Sequence, residues 1–322
     1  MEWLELKACL LEKGAVRVEG EPVEEYLSRS TAGPGAGGPG SLFFSRKEGR
    51  VRQTIRADSP VTLYHHGRGK VTLLVNGEIV EGSLEKAALH CPRQAYVTIS
   101  ERCIHACRYC MVPFQNGRVK TVEELETRIG GVADRIDAIA ITSGVARSVG
   151  EEEAITLSLV GRVRSLGIPI GVSIYPREGT PARLYAEGVE EVKFNLETAT
   201  APLFTRMCPG LDRDVLWRVL DDSVTLFGRN RVFSNVIVGL GETDTEMEGC
   251  IEELADRGVI PILRPLQPAA GVADYERPSA KRLTYLCERE ERILRRAGLD
   301  PCQARTMCLA CTGCDLVPGR DT

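Results

Sequence analysis

The chain lacks any hydrophobic run approaching the roughly 20 residues that cross a bilayer, so a transmembrane helix is excluded. It also lacks an excess of charge of one sign. The net charge of −4 gives no basic field for non-specific contact with nucleic acid. The opening segment MEWLELKACLLEKG carries acids and lacks the basic-then-apolar order of a signal peptide. A cytoplasmic protein is therefore expected, with neither membrane nor nucleic acid as its partner. Material for a core is not lacking, since 43% of the 322 residues are apolar. What the chain has in excess is cysteine.

Twelve cysteines are too many for chance core filling, and the chain is too long to need a disulfide scaffold. Clustered cysteines in a reducing compartment point to metal or redox chemistry. Cys103, Cys107 and Cys110 form a C-x3-C-x2-C run, and Cys302, Cys308, Cys311 and Cys314 form C-x5-C-x2-C-x2-C. The remaining five, Cys9, Cys91, Cys208, Cys250 and Cys287, are scattered and read as small buried hydrophobes.

Residues 1–30 read as a helical or mixed start. TAGPGAGGPGS at 31–41 reads as a flexible linker; it is also a backbone cradle for an anion in outline, without the Lys-Ser/Thr ending of a phosphate loop. From Ser41 to Gly82, β-branched runs with a hairpin signal at Asn76-Gly77 predict a small antiparallel β unit. On a strand of that unit, His65 and His66 would face opposite ways, as an ordinary surface pair. After Arg93, strands and helices alternate. The strands are AYVTIS (95–100), AIAITSG (138–144), PIGVSIY (169–175), EVKFNLE (191–197), VFSNVIVGLG (232–241) and IPILRPLQP (260–268). This α/β pattern fits an open doubly wound sheet or a partial α/β barrel, and periodicity does not choose between them. Either fold gathers its chemistry at the carboxyl ends of strands. The division expected is a β-rich unit at 1–92, the α/β body at 93–298 and a cysteine-rich tail at 299–322.

Three cysteines in eight residues can hold one metal centre. Zinc would need a fourth ligand, with His105 nearest to hand; a cubane iron–sulfur cluster needs only the three thiolates and leaves one iron open; unligated thiols are the remaining option. CIHACRYC at 103–110 resembles the cysteine motif of radical S-adenosylmethionine (SAM) enzymes. The resemblance runs from Tyr96 to about Gly298 and implies a partial (β/α)6 barrel, a [4Fe-4S] cluster on Cys103, Cys107 and Cys110, and SAM bound to the open iron. It is closest to the biotin synthase and lipoyl synthase branch, through FNLET (194–198), VGLGETDTEM (238–247) and LRPLQP (263–268). By that likeness Asn195 and Glu197 would hold the SAM ribose, and Tyr109 would flank the adenine. Thr142, Ser143 and Gly144 would meet the SAM amino group, Gly239 and Gly241 would shape the strand-five end, and Arg264 would pair with a carboxylate. Glu242 reads as ordering the glycine turn. One departure is Asn235, where the family pattern has glycine. Asn195 and Glu197 alternate onto one strand face, which suits a pair of ribose hydroxyls; capping of the next helix would also use them.

RTMCLACTGCDLVPG at 305–319 resembles the start of a ferredoxin-type motif, so Cys308, Cys311 and Cys314 are expected to hold an auxiliary iron–sulfur cluster, with Cys302 a candidate fourth ligand. A zinc knot is the plainer alternative. Ordinary lipoyl synthases carry C-x4-C-x5-C before the barrel, and only Cys9 and Cys91 lie there. The chain thus looks more like the archaeal type, in which two radical SAM proteins share the work. The likeness implies an anaerobic sulfur-inserting transferase, with a lipoyl carrier protein or octanoyl-lysine segment, a sister radical SAM protein and a ferredoxin-like electron donor as partners. The rival readings are a maturase or amino-acid rearrangement enzyme of the same superfamily, and a non-catalytic iron–sulfur or zinc module.

Overall fold

A computed structural model describes residues 1–322. Helix α1 (Trp3–Lys13) ends at Gly14 and leads into β1 (Ala15–Gly20). Five more strands follow: β2 (Ser41–Arg46), β3 (Gly49–Ile55), β4 (Thr62–His65), β5 (Lys70–Val75) and β6 (Glu78–Glu85). In β5 every second side chain, Val71, Leu73 and Val75, is buried, as period two requires of a strand with one dry face. The β5–β6 turn is Asn76-Gly77, both with positive φ, as a type I′ hairpin demands. The six strands close into a barrel in the order β1-β3-β2-β6-β5-β4. Strands β2–β6 pair antiparallel, as expected of residues 41–82, and β1, from outside that stretch, pairs parallel with both β3 and β4. Its partners are set by barrel closure, not by a neighbouring hairpin. The histidines face opposite ways, but His65 is buried, with Nδ1 3.0 Å from the Glu21 carbonyl.

The second sheet begins with β7 (His90–Cys91), antiparallel to β8 (Gln94–Thr98). It continues through β9 (Ala138–Thr142), β10 (Ile170–Ser173), β11 (Glu191–Lys193), β12 (Val232–Val238) and β13 (Ile260–Pro265), all parallel. Its order, β13-β12-β11-β10-β9-β8-β7, is sequential. A doubly wound sheet reverses its order at a switch point; this one does not, and it forms a partial α/β barrel. The outer helices are α2 (Val122–Gly130), α3 (Val149–Val163), α4 (Thr180–Ala186), α5 (Ala201–Met207), α6 (Arg213–Phe227), α7 (Asp244–Asp256) and α8 (Ala280–Ala297). Most start at a side-chain cap: Thr121, Ser148, Thr200, Asp212, Thr243 and Ser279 each accept a backbone N–H.

One continuous apolar core joins the two sheets, running from Leu6 and Leu10 of α1 to Leu283 and Leu286 of α8. The glycine-rich segment is not a loose linker. Thr31 donates to Thr98 Oγ1 at 2.9 Å, Ala36 is buried, and the Ala36 carbonyl accepts from the Gln115 side chain. The tail forms a short helix, α9 (Met307–Cys311). It crosses the partial barrel at the amino ends of the strands. Glu191, first in β11, accepts from the Arg305 and Thr306 N–H groups, and Gln94, first in β8, bonds both ways with Met307.

Candidate active site

A cavity of about 380 Å³ occupies the inside of the partial barrel. Its upper wall is the carboxyl ends of the strands, its floor the tail, and its open side is filled by β3 and by residues 30–35 of the glycine-rich segment.

Cys103, Cys107 and Cys110 all line this cavity, on the loop that leaves β8, and each is partly exposed. The loop is fastened from several sides. Ile104 N–H bonds Val145 O at 2.8 Å, Arg108 N–H bonds Met207 O at 2.9 Å, and the Arg108 carbonyl accepts from Gly271 at 2.7 Å. Gly144 faces it so closely that a Cβ there would stand 2.3 Å from the Arg102 carbonyl. Burial pushes the Cys110 thiol up to about 12. The Cys107 thiol is raised further, by its contact with Cys208 and then by burial. Tyr109 is buried beside them, its hydroxyl 3.8 Å from the Cys208 sulfur.

Asn195 and Glu197 meet on the same wall, Asn195 Nδ2 donating to Glu197 Oε1 at 3.0 Å. Asn195 Oδ1 also accepts from the Asn235 N–H at 3.2 Å, tying the pair to β12. Burial raises the Glu197 carboxyl against the pull of Asn195. Thr142, Ser143 and Gly144 reach the cavity as well, with their hydrogens already committed. Thr142 Oγ1 donates to Ser173 O at 2.9 Å, and Ser143 donates to Glu152 while accepting from Ser100 N–H. Each hydroxyl keeps an acceptor lone pair.

Two expected positions are not brought here. Gly239 and Gly241 lie outside the cavity wall. Their φ values of 111° and 107° explain them: they bend the chain out of β12, and Glu242 closes the bend by accepting from Gly239 and Leu240 N–H at 2.7 and 2.8 Å. Arg264 lines the cavity but belongs to its lower end, where Nη2 lies 3.0 Å from the Cys308 sulfur and 3.2 Å from Asp315. The tail thus engages it, away from the cysteine loop above.

The tail cysteines also divide. Cys308, Cys311 and Cys314 line the cavity floor. Cys302 does not; it is exposed, with its carbonyl held by Arg320 at 3.0 Å. The turn at Pro301–Gln303 precedes the stretch that passes under the strands, so Cys302 stays outside. In its place stands Cys91 of β7, buried with its sulfur 3.4 Å from that of Cys311. Lys193 completes the floor, with Nζ 3.2 Å from the Cys308 sulfur. Burial acts to discharge this lysine, but Cys308 holds its pKa above the ordinary value.

Residues 97–254 match the family model of the radical SAM superfamily. This stretch carries the cysteine loop and the strands that face it. It is a radical SAM domain. The same fold recurs in solved structures. With the [FeFe]-hydrogenase maturase HydG the TM-score is 0.53 at 17% identity, over 63% of this chain and 49% of that one. With SuiB of Streptococcus suis bound to its precursor peptide SuiA it is 0.54 at 12% identity, over 66% and 48%. With methylornithine synthase (PylB) it is 0.50 at 15% identity, over 65% and 70%. The chain spans about half the length of the first two. At such identities the likeness is one of fold. No curated protein matches the chain in sequence.

A radical SAM domain implies a [4Fe-4S] cluster and SAM, and the residues fit them. No three His, Cys, Asp or Glu side chains converge as ligands of a single ion. Three sulfurs offered singly to one cavity suit a cubane, in which each thiolate takes its own iron. Asn235 Oδ1, on β12, and His105 Nε2, on the cysteine loop itself, are buried without partners, open polar positions in the cavity wall.

Proposed function

We propose that this radical SAM enzyme inserts sulfur into an unactivated C–H bond of an octanoyl chain carried on a protein lysine, the reaction of lipoyl synthesis. The observation that carries the reading is that both cysteine groups face one cavity. A cluster that only staples a tail or relays electrons has no need to face the substrate space; a sulfur source does. Cys103, Cys107 and Cys110 would hold the SAM-binding cluster, and the floor cysteines an auxiliary cluster that supplies sulfur.

SAM held there would supply hydrogen-atom abstraction from carbon, with 5′-deoxyadenosine as its product. The chain's own residues do the positioning. Asn195 and Glu197 hold the ribose hydroxyls, Tyr109 packs against the adenine, and Asn235 Oδ1 offers an acceptor to an amine. Thr142 and Ser143 accept from the SAM ammonium, and Gly144 keeps the cysteine loop close to it. The glycine-rich segment and β3 close the side of the barrel and would exclude water from the reacting space. A lipoyl carrier protein would present the octanoyl-lysine, a ferredoxin-like protein the electron, and a second radical SAM protein would share the two insertions.

Anaerobically reconstituted protein with dithionite and SAM should release 5′-deoxyadenosine, and with an octanoyl-lysine peptide it should yield a thiolated octanoyl group detected by mass. SAM cleavage with no thiolated product from that peptide, alone or with a sister protein, would point instead to a maturase or rearrangement reaction. Zinc at the floor cysteines would remove the sulfur source.

A further inference from the structure

We infer that the second metal site is a four-cysteine iron–sulfur site whose ligands are Cys91, Cys308, Cys311 and Cys314, and that Cys302 takes no part in it. This deepens the reading of the floor cysteines as a cluster site and does not depend on which substrate is thiolated.

The first support is geometric. Cys91 and Cys311, 220 residues apart in sequence, lie with sulfurs 3.4 Å apart in one buried pocket under Phe43 and Tyr96. All four cysteines open on the same cavity floor, whereas Cys302 is exposed outside it. The tail is held to this place by its backbone: Arg52 N–H bonds Gly313 O at 2.6 Å, and Met307 is locked to Gln94.

The second support is charge. Four cations surround these sulfurs. Lys193 and Arg264 point at Cys308, Arg50 Nη1 donates to the Cys311 carbonyl at 3.1 Å, and Arg52 lies against Gly313. Two have carboxylate partners, Glu85 for Arg50 and Asp315 for Arg264. Lys193 and Arg52 have none, and Arg52 Nε is buried without any partner. Glu197, the acid that lines the same cavity, is engaged by Asn195. Two unmatched cations with buried side-chain atoms are costly unless an anion belongs there. A [4Fe-4S] core of charge 2+ held by four thiolates carries a net charge of −2 and answers that deficit. A zinc ion on four thiolates would answer it too, and the metal content of the reconstituted protein distinguishes the two.

The test isolates the second site by replacing Cys103, Cys107 and Cys110 with alanine and reconstituting the full chain anaerobically with iron and sulfide. This background should hold about four irons per chain with a Mössbauer signature of a fully thiolate-ligated cubane. Adding Cys91→Ser should convert it to a three-iron form or strip it below one iron per chain, while adding Cys302→Ser should leave the four irons and the spectrum unchanged. Circular dichroism and gel filtration check that both variants remain folded. The ligand assignment is overturned if Cys302→Ser loses the cluster and Cys91→Ser keeps it, or if both keep it unaltered. A background that holds no iron, or that holds zinc, or that shows a Cys91–Cys311 disulfide by mass, overturns the cluster site itself.

Discussion

At the scale of single residues, the strand-four wall shows what each side chain contributes. Lys193, Asn195 and Glu197 recur at intervals of two and all open on the cavity, although β11 itself ends at Lys193. A carboxylate that accepts from sugar hydroxyls contributes a charge-assisted bond of about 1.5–3 kcal/mol. Glu197→Gln should therefore weaken SAM binding roughly ten- to hundredfold by anaerobic equilibrium dialysis; unchanged affinity would remove Glu197 from the ribose site. The two cysteine groups should separate just as sharply. Cys107→Ala is expected to abolish release of 5′-deoxyadenosine, whereas Cys311→Ala should retain part of that release and yield no thiolated product. Asn195 and Glu197 were legible because a motif named them; Lys193, on the same face, was not singled out and is placed on the cavity by the structure. Cys91 and Cys208 were not legible. A lone cysteine has no spacing to read, and each finds its partner only through the fold, Cys91 at Cys311 and Cys208 beside Tyr109.

At the scale of elements, the parallel strands and their helices were readable because each buries a continuous or periodic apolar run. The short α5 and α9 were not, having seven and five residues and little period to show. The parallel pairing of β1 was hidden for another reason: sequence signals report hairpins, and β1 makes none. The cysteine loop depends on its neighbour at Gly144. Gly144→Ala would push a methyl into the Arg102 carbonyl, so reconstituted protein should lose the iron of the first site while the helical signal in circular dichroism stays intact. The α3–α4 corner depends instead on charge. Glu153 is buried, which by itself raises its pKa, but Arg183, Arg177 and Thr180 overcome this and hold it at about 2. A carboxyl depressed in the folded state adds stability that is complete above its ordinary value near 4.5 and is lost as pH falls towards 2. Wild type should therefore exceed Glu153→Gln in urea midpoint at pH 7, with the gap closing between pH 4.5 and 2. A gap that stayed constant over this range would show that the ionised carboxylate contributes nothing.

At the scale of the whole molecule, the amino-terminal barrel and the tail are built as parts of one enclosure around the radical SAM domain. The partial barrel has an open side and an open floor; β3 covers the first and the tail the second. Neither role could be read from residues 1–92 or 299–322 alone, since each cover makes sense only against the cavity it closes. The two covers are joined at one buried ion pair. Lys7 of α1 donates to Asp321 at 2.6 Å and to the Thr312 carbonyl at 2.5 Å, with both charged side chains out of solvent. Asp321 also accepts from Trp3 Nε1 and Val317 N–H, each at 2.8 Å. Breaking a buried pair from one side strands the other charge and costs about 3–5 kcal/mol. Asp321→Asn keeps the shape and removes the charge, so it should lower the denaturant midpoint by that equivalent. Lys7→Met combined with Asp321→Leu removes both charges and should recover much of the loss. Because the tail carries the floor cysteines, the single variant should also shed iron from the second site first, leaving the iron on Cys103, Cys107 and Cys110 in place. If Asp321→Asn unfolds at the wild-type midpoint and keeps the iron spectra of both sites, the pair does not hold the floor, and the tail is retained by its other contacts, with Glu191, Gln94, Arg50, Arg52 and Arg264.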